Sequence, residues 1–364
     1  MKEYPVVNSH NHWDKLEEVI LGIPYHLDYD TDISFRLFFY LNLRQYGIAK
    51  GLNIKPSNQI RDESLEDIKV LEKILKDEGV IIKRPTEMTE VMETKSPWWE
   101  AHMGHALMSR DLFIVVGNEI IETPPQLRSR YFERDLYNEL FTEYFKQGAK
   151  WTAVPKSRLM DRNFDYSYAI ENGLQMEPQK APFYEIMFDG AQILRMGKDM
   201  FFNCSNENHR LGMMWMQRHL GDRYNIQEVN ITDSHIDGMV LPLKPGVLLV
   251  NRLVKLEQLP EKLRNWKIIW YEPLEKTEAV SWYDDVKGSD IPLLASESIG
   301  MNVLSLDDKK VIVQDIQKPL IKALQENGFE PIPCRWRHGR ILGGGFHCMT
   351  LDIRRQSKLE SYFD

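Results

Sequence analysis

The sequence predicts an α/β protein built from a repeated unit, in which a β-hairpin, a helix and a further strand follow one another. Apolar runs of strand length alternate with amphipathic helical segments along the 364 residues. Glycine recurs both at the turns of the hairpins and at the ends of the helices. The chain is 43% hydrophobic and 27% charged, which is typical of a globular protein with a sizeable core.

The first helix is predicted over SLEDIKVLEKILKDEG, residues 64–79. Ser64 occupies the N-cap position, and Asp67 follows three residues later as a variant of the capping box. Gly79 is the expected C-terminal stop, and VIIKRP then has the pattern of a strand. The apolar stripe of this helix comprises Leu65, Ile68, Leu71 and Leu75.

Four complete units follow the same order. In the first, LFIVVGNEII contains a turn, RYFERDLYNELFTEYFKQG is a helix and KWTAV is a strand. The second comprises the hairpin QILRMGKDMFFNC, which turns near Gly197, the helix ENHRLGMMWMQRHLG and the strand YNIQEVNI. The third comprises MVLPLKPGVLLVN, which turns at Pro245-Gly246, then LEQLPEKLRNW and KIIWYEP. The fourth comprises NVLSLDDKKVIVQ, which turns at Asp307-Asp308, then KPLIKALQENG and FEPIPC.

A fifth unit forms if the C-terminal segment GGFHCMTLDIRR pairs with the first strand, LEEVILG. Repetition in a fixed order favours a closed ring of units in a single domain over residues 1–364. The alternative is an ordinary α/β fold, in which helices and strands also alternate.

Charge and apolar runs exclude some classes of function. The formal net charge of −8 disfavours a general nucleic-acid binder, which needs basic patches to neutralise phosphates. No apolar run approaches the length of a membrane span. The start, MKEYPVVNSHNHWDKL, has neither a secretory signal nor a transit peptide, which predicts a cytoplasmic location.

The three cysteines are Cys204, Cys334 and Cys348. Their odd number and wide spacing support neither a disulfide framework nor a zinc ribbon. The motif HNH, His10 to His12, is a weak metal pattern because it lacks convergent partners. We therefore expect no metal site, and a functional cysteine would act as a thiolate.

Polar residues precede the first strand of successive units. These candidates are Asp111, Asp189, His235 with Asp237, Ser296 and Cys348. In a ring of units, equivalent positions converge on one axis, so residues far apart in sequence would share one pocket.

Cys348 is the candidate nucleophile. His347 is a poor base for it, because adjacent side chains of an extended segment point to opposite faces. His235 comes from another unit, and the spacing of HID would place it on the same strand face as Asp237. Asp189 could orient the imidazole. The alternative is that Cys348 is a small buried core residue and that HID is incidental.

The surplus of carboxylates indicates a cationic substrate. Nucleophilic catalysis by cysteine needs one orienting acid, whereas Asp111 and Asp237 are additional to Asp189. A guanidinium is planar, permanently charged and rich in donors, so carboxylates on two sides suit it.

Several sequence blocks in order resemble the L-arginine:glycine amidinotransferase family, within the guanidine-modifying superfamily of arginine deiminases and dimethylarginine dimethylaminohydrolases. The blocks include RDLFIVVGNEIIE, RSRYFERDLY, HIDGMVLPLKPGVLLVN, MNVLSLDDKKVIV and GGGFHCMTLDIRR. The resemblance runs almost end to end. It implies a five-bladed α/β propeller of ββαβ units with pseudo-fivefold symmetry, and it hints at a homodimer.

The resemblance also implies roles for individual residues. Cys348 matches the nucleophile, His235 the acid/base and Asp189 the catalytic acid beside it. Asp111 and Asp237 match the aspartates that hold the guanidinium. Two more residues match substrate-binding positions: Ser296 lies near the bound arginine, and Arg252 lies close to the place of the carboxylate-binding arginine.

The implied reaction is a ping-pong transfer that requires no metal or organic cofactor. L-Arginine would donate its amidino group to Cys348 and release ornithine, and an amine acceptor would then take the group. A hydrolase of the same superfamily, which uses water instead of an amine, is one alternative. A non-catalytic guanidine-binding member is another.

The sequence departs from the glycine-specific pattern near the acceptor. Thr232 and Ser234 replace an asparagine and a methionine in ITDSHID, and Gln192 replaces a second acid in FDGAQ. Met349 and Leu351 differ in CMTLD. The smaller Ser234 predicts an acceptor larger than glycine, as in similar bacterial and cyanobacterial enzymes of guanidino natural-product pathways.

Overall fold

The structure is a computed structural model that describes residues 5–26, 28–30, 32–39, 53–164, 183–274 and 293–363. The strands of these ranges are β1 (Leu16–Leu21), β2 (Tyr29–Asp30), β3 (Asn53–Ile54), β4 (Ile81–Lys83), β5 (Glu93–Lys95), β6 (Glu100–His102), β7 (Phe113–Val116), β8 (Glu119–Glu122), β9 (Lys150–Ala153), β10 (Ile193–Met196), β11 (Asp199–Asn203), β12 (Asn225–Val229), β13 (Val240–Lys244), β14 (Val247–Asn251), β15 (Lys267–Tyr271), β16 (Leu304–Ser305), β17 (Lys310–Gln314), β18 (Glu330–Cys334) and β19 (Thr350–Arg355).

Helices and short helical turns connect these strands. The helices are α1 (Ile33–Phe38), α2 (Asn58–Asp77), α3 (Ser109–Leu112), α4 (Asn138–Lys146), α5 (Glu207–Leu220), α6 (Glu261–Arg264), α7 (Lys318–Glu326) and α8 (Gly339–Leu342). The 3₁₀ turns are Arg128–Arg130, Glu133–Tyr137, Asp161–Asn163, Gly190–Gln192, Gly221–Arg223, Ile236–Gly238, Leu256–Gln258 and Glu297–Met301.

Three-stranded sheets repeat with one topology. Their orders are β19-β1-β4, β7-β8-β9, β10-β11-β12, β13-β14-β15 and β16-β17-β18. In each sheet the central strand pairs antiparallel with one neighbour and parallel with the other. A parallel pair needs a crossover connection, and a helix supplies it between the second and third strands. The predicted units are confirmed, including the pairing of the C-terminal segment with the first strand.

The apolar runs arise because each sheet is covered on both faces. Along β7, Phe113 and Val115 pack into one cluster, whereas Ile114 and Val116 pack into the next. The same alternation occurs along β14 and β17. Since strand side chains alternate between faces, a strand buried on both sides must be apolar at every position.

Successive sheets share hydrophobic clusters, and the last sheet shares one with the first. Val19 of β1 and Ile312 of β17 belong to one cluster, and the main chain adds a hydrogen bond from Leu16 N to Leu306 O of 2.7 Å. Four further clusters join the first and second, second and third, third and fourth, and fourth and fifth sheets. The packing thus returns from the end of the chain to its beginning.

The first long helix begins earlier than the sequence predicts. Its N-cap is Ser57, whose side chain accepts a hydrogen bond from Ile60 N, so Ser64 as N-cap is wrong. Ile60 is fully buried and extends the apolar stripe, which stabilises the added turns. The Ser64 hydroxyl instead donates to Ile60 O over 2.6 Å, inside the helix.

Two other predicted helices are shorter than expected. The segment from Arg130 to Lys146 is not one helix, because Glu133–Tyr137 forms a 3₁₀ turn before α4. The segment LEQLPEKLRNW is divided at Pro260 into a 3₁₀ turn and the short α6. Proline has no N–H group with which to continue the preceding turn, so it ends one element and begins the next.

The described ranges contain neither a membrane-spanning helix nor a metal-binding cluster. None of their helices combines the length and apolarity that crossing a membrane requires. Nor do these ranges hold a cluster of histidine, cysteine and acidic side chains suited to a metal ion.

Candidate active site

The predicted polar residues lie in short turns that directly precede the first strands of the sheets. Asp111 is in α3 before β7, and Asp189 caps the turn Gly190–Gln192 before β10. His235 caps the turn Ile236–Gly238 before β13, and Cys348 lies in a turn before β19. Ser296 caps the turn before β16.

These turns surround a cavity of about 290 Å³. Its lining includes Asp111, His235, Asp237, Ser296 and Cys348, so the structure brings residues from several sheets into one pocket. Asp189 lies behind His235, which it contacts directly.

Cys348 is buried beside a carboxylate. Its Sγ lies 3.4 Å from Oδ2 of Asp237, and its backbone N–H donates to Oδ1 of Asn302 over 2.9 Å. Burial, followed by the charges of Asp237 and Asp111, raises the pKa of the thiol well above its ordinary value of 9.0. The thiol is therefore protonated in the unliganded pocket, and a cation bound to the two aspartates would lower its pKa.

His235 lies between two carboxylates. Its Nε2 is 2.9 Å from Oδ2 of Asp189, and its Nδ1 is 3.5 Å from Oδ1 of Asp111. Burial acts to lower the pKa of His235, but the charge of Asp111 and the hydrogen bond with Asp189 outweigh it and raise the pKa to about 9. The ring is consequently an imidazolium at neutral pH and can donate a proton.

Asp189 is held by amides. Its backbone N–H donates to Oε1 of Gln192 over 2.9 Å, and Nε2 of Gln126 donates to its Oδ2 over 3.2 Å. Burial acts to raise the pKa of Asp189, but the hydrogen bond and charge of His235 lower it overall. Gln192 thus orders the turn that presents the carboxylate.

Asp237 receives three contacts on one oxygen. Its Oδ2 accepts hydrogen bonds from Asn302 Nδ2 at 3.0 Å and from the thiol of Cys348, and it lies 2.7 Å from His347 Nδ1. Burial acts to raise the pKa of Asp237, but the hydrogen bond from His347 lowers it to about 2. The carboxylate is therefore ionised at neutral pH.

Two local geometries differ from the sequence prediction. HID does not lie on a strand; Ile236–Gly238 is a 3₁₀ turn, although His235 and Asp237 still reach the same cavity. Nor is the segment around Cys348 extended. Residues 346–349 form a turn, so His347 and Cys348 both contact Asp237 instead of facing opposite ways.

Sequence reasoning missed Arg130, Glu133 and Asn302. The Arg130 guanidinium contacts Oδ2 of Asp111, both carboxylate oxygens of Glu133 and the carbonyl of Met108. The side chain of Glu133 is buried, whereas that of Arg130 is 13% exposed. The charged segment RSRYFERD was the available signal, but most of it falls in a predicted helix, RYFERDLYNELFTEYFKQG, to which no function was attached. Asn302, in GMNVLS, carried no comparable signal.

Three residues were predicted at the edge of the pocket, and the structure places them differently: Arg252, Thr232 and Ser234. The structure does not bring Arg252 into the cavity, because its side chain is 55% exposed, pairs with Glu272 and stacks on Trp270. Thr232 and Ser234 do line the cavity, where Ser234 N donates to the Thr232 hydroxyl over 3.2 Å.

Relatives of known activity match nearly the whole chain. An L-arginine:L-lysine amidinotransferase of Pseudomonas savastanoi pv. phaseolicola is 35% identical over 98% of this chain and 96% of its own. The mitochondrial glycine amidinotransferase of Xenopus laevis is 34% identical over 100% of this chain and 86% of its own. The chain belongs to the amidinotransferase family. No protein-family model matches it.

A solved structure supports the same assignment. SxtG, an amidinotransferase of the saxitoxin biosynthetic pathway of Microseira wollei, superimposes on this amidinotransferase with a TM-score of 0.80. The two chains are 35% identical, and the match covers 98% of this chain and 100% of SxtG.

The cavity of the amidinotransferase also has an apolar wall. The ring of Phe38 packs edge-on against His235, with 5.2 Å between ring centroids. The wall consists of Phe35, Phe38, Phe39, Leu127, Leu253 and Leu294. The wall offers contact surface to an aliphatic chain.

Proposed function

We propose that this amidinotransferase moves the amidino group of L-arginine to a primary amine through an amidino-Cys348 intermediate. One observation carries the proposal. Asp111 and Asp237 each accept hydrogen bonds at Oδ2, while within the described residues Oδ1 of Asp111, 3.5 Å from Nδ1 of His235, is buried without a hydrogen-bond partner. Both carboxylates line the cavity beside Cys348.

The two aspartates suit a guanidinium. A guanidinium presents donors on opposite sides of one plane, and its charge compensates carboxylates that no cation fully neutralises. The apolar wall suits the aliphatic chain of arginine. The name of the Pseudomonas relative also specifies L-arginine as a substrate.

The first half-reaction begins when the guanidinium binds and the Cys348 thiol loses its proton to solvent. The thiolate forms a bond to the guanidinium carbon, while His235 protonates the departing nitrogen of arginine. The bond from carbon to that nitrogen then breaks, ornithine leaves and Cys348 carries the amidino group. Asp189 keeps the imidazolium oriented for this transfer.

The second half-reaction restores the enzyme. A neutral primary amine attacks the amidino carbon and gives a proton to His235, which is unprotonated at this stage. The bond from carbon to sulfur breaks, and the thiolate leaves. Protons balance over the cycle, because His235 regains the one that it gave to ornithine and the Cys348 thiolate takes back a proton from solvent. Covalent catalysis divides one difficult transfer into two easier steps.

We also propose that the sheets form the closed five-bladed α/β propeller of a single domain. The identical strand orders support it, as does the series of hydrophobic clusters that returns from the fifth sheet to the first. Closure would place the turns before the first strands around one axis.

The acceptor is proposed to be larger than glycine. Ser234 and Thr232 leave room at the cavity lining, and the phenylalanine side chains add apolar surface there. The names of the relatives specify lysine for one and glycine for the other, so acceptors differ within the family.

The decisive experiment incubates the protein with L-arginine and a panel of primary amines that includes glycine and lysine. Mass spectrometry measures ornithine, citrulline and guanidinylated products. We expect ornithine and one guanidinylated amine, and neither with Cys348→Ala. Citrulline as the main product would exclude the transferase reaction, and conversion of glycine alone would exclude the larger acceptor.

A further inference from the structure

Two buried histidines outside the proposed reaction form a chain behind Asp237. His347 places Nδ1 at 2.7 Å from Oδ2 of Asp237 and Nε2 at 3.2 Å from Nδ1 of His12. Nε2 of His12 in turn lies 3.0 Å from the backbone N of Arg195. The HNH motif at the N-terminus is thus connected to the carboxylate beside Cys348.

The backbone amide determines the protonation of both rings. An amide N–H can only donate, so Nε2 of His12 must carry a lone pair. A neutral imidazole has one N–H, which in His12 is then on Nδ1 and points to Nε2 of His347. That nitrogen accepts, so the proton of His347 is on Nδ1 and points to Asp237.

The electrostatic surroundings keep both rings neutral. Burial and the charge of Arg110 together lower the pKa of His347 to about 4, against the opposing effect of Asp237. Burial and Arg195 lower the pKa of His12 well below its ordinary value, against Asp352. Because both rings are neutral, His12 can donate a hydrogen bond to His347, and His347 can donate one to Asp237 without neutralising the carboxylate.

The two aspartates of the pocket therefore differ. Asp111 is paired with the Arg130 guanidinium. Asp237 is contacted by His347, Asn302 and the thiol of Cys348, all at Oδ2, and in the described part of the chain no arginine or lysine forms an ion pair with it. Its charge and its Oδ1 stay available to a ligand.

We propose that His12 and His347 are positioning residues that hold Asp237 as an uncompensated anion facing the donor guanidinium. The backbone N–H of Arg195 fixes which ring nitrogen of His12 carries the proton. This in turn places the proton of His347 on Nδ1, which donates a hydrogen bond to Asp237. This inference rests on the proposed function, in which Asp237 binds the guanidinium.

The direct test is nitrogen-15 NMR of the histidine side chains in the full-length protein, since N–H and lone-pair ring nitrogens have well-separated shifts. Assignment uses His12→Gln and His347→Asn. We expect Nδ1–H in both rings and no protonation between pH 6 and 8. An Nε2–H form of either ring, or an imidazolium in that range, would overturn the proposal.

A binding measurement tests the effect on the ligand. Calorimetry with L-arginine is performed in the Cys348→Ala protein, which binds without turnover. We expect His347→Leu to weaken binding at least about tenfold, because a hydrogen bond to a charged group is lost. His347→Asn, which keeps a donor near the Nδ1 position, should recover most of the affinity.

His10→Gln serves as the matched control. His10 belongs to the same HNH motif, but its ring contacts Tyr224 and not His12 or His347. Its affinity for arginine should equal that of the parent. Equal losses in His347→Leu and His347→Asn would contradict a positioning role. If the unmodified protein released no ornithine with any amine, the proposed function would fail, whereas the NMR result would still decide the protonation of the two rings.

Discussion

Sγ of Cys348 lies 3.4 Å from Oδ2 of Asp237, so the thiol of the proposed nucleophile donates a hydrogen bond to a carboxylate. An anion at this distance stabilises the thiol and opposes the thiolate. The reactivity of the sulfur is therefore coupled to whatever cation binds between the aspartates.

The first prediction concerns the alkylation of this thiol. Burial and the neighbouring carboxylates raise the pKa of Cys348 well above 9.0, so its reaction with iodoacetamide should still accelerate as the pH rises beyond 9. Asp237→Asn removes one charge and should increase the rate at pH 8 about tenfold. Asp222→Asn, on a distant turn, should leave the rate unchanged, and an unchanged rate in Asp237→Asn would refute the coupling.

The second prediction concerns stability and pH. The pKa of His235 is raised to about 9 in the folded protein, so the protonated ring stabilises the fold. This contribution is complete below the unfolded pKa, near 6.5, and is lost as the pH rises through about 9. Relative to His235→Gln, the wild type should lose about 3 kcal/mol of unfolding free energy between pH 6 and pH 10. Urea denaturation at each pH measures the difference, and a constant difference would argue against the raised pKa.

The third prediction concerns Arg130. Its guanidinium compensates two buried carboxylates, Asp111 and Glu133. Arg130→Met should destabilise the protein by about 3 to 5 kcal/mol, because both anions lose their partner. Adding Glu133→Gln should restore part of the loss, which denaturant unfolding of the single and double variants can measure. Arg158→Met, at a more exposed ion pair, should cost less than about 1 kcal/mol.

The fourth prediction concerns the glycines before Cys348. A Cβ atom at Gly345 would lie 2.8 Å from Cβ and 2.9 Å from Oδ1 of Asn302, which holds both Cys348 and Asp237. Gly345→Ala should therefore reduce ornithine formation on the order of a hundredfold. Gly246→Ala, at a hairpin turn with a φ of +79° and open space, should reduce the melting temperature but not the turnover. Equal turnover in the two variants would contradict this positioning.

The order of the elements could be predicted from the sequence because local signals specify it. Glycines at 197 and 246 mark hairpin turns, and runs such as VLLVN mark strands that are buried on both faces. The start of α2 could be predicted less accurately. Ser57 and Ser64 are both good N-cap residues, and only the burial of Ile60 decides between them.

The site was predictable where its residues repeat at the same place in each unit, as Asp111, Asp189 and Cys348 do. The contacts that support these residues could not be predicted from the sequence. Neither the ion pair of Arg130 with Asp111 nor the contacts of Asn302 follow from spacing, because their partners lie on other elements. The contact of His347 with Asp237 depends on a turn that sequence periodicity cannot reveal.

The pairing of β19 with β1 has a consequence for the synthesis of the protein. Strand β1 is synthesised well before residues 350–355, and its sheet gains its antiparallel neighbour only when those residues follow. The turn that carries Cys348 immediately precedes that closing strand. A nascent chain therefore has no organised nucleophile, and the chemistry of the pocket starts only when translation of this last strand is finished.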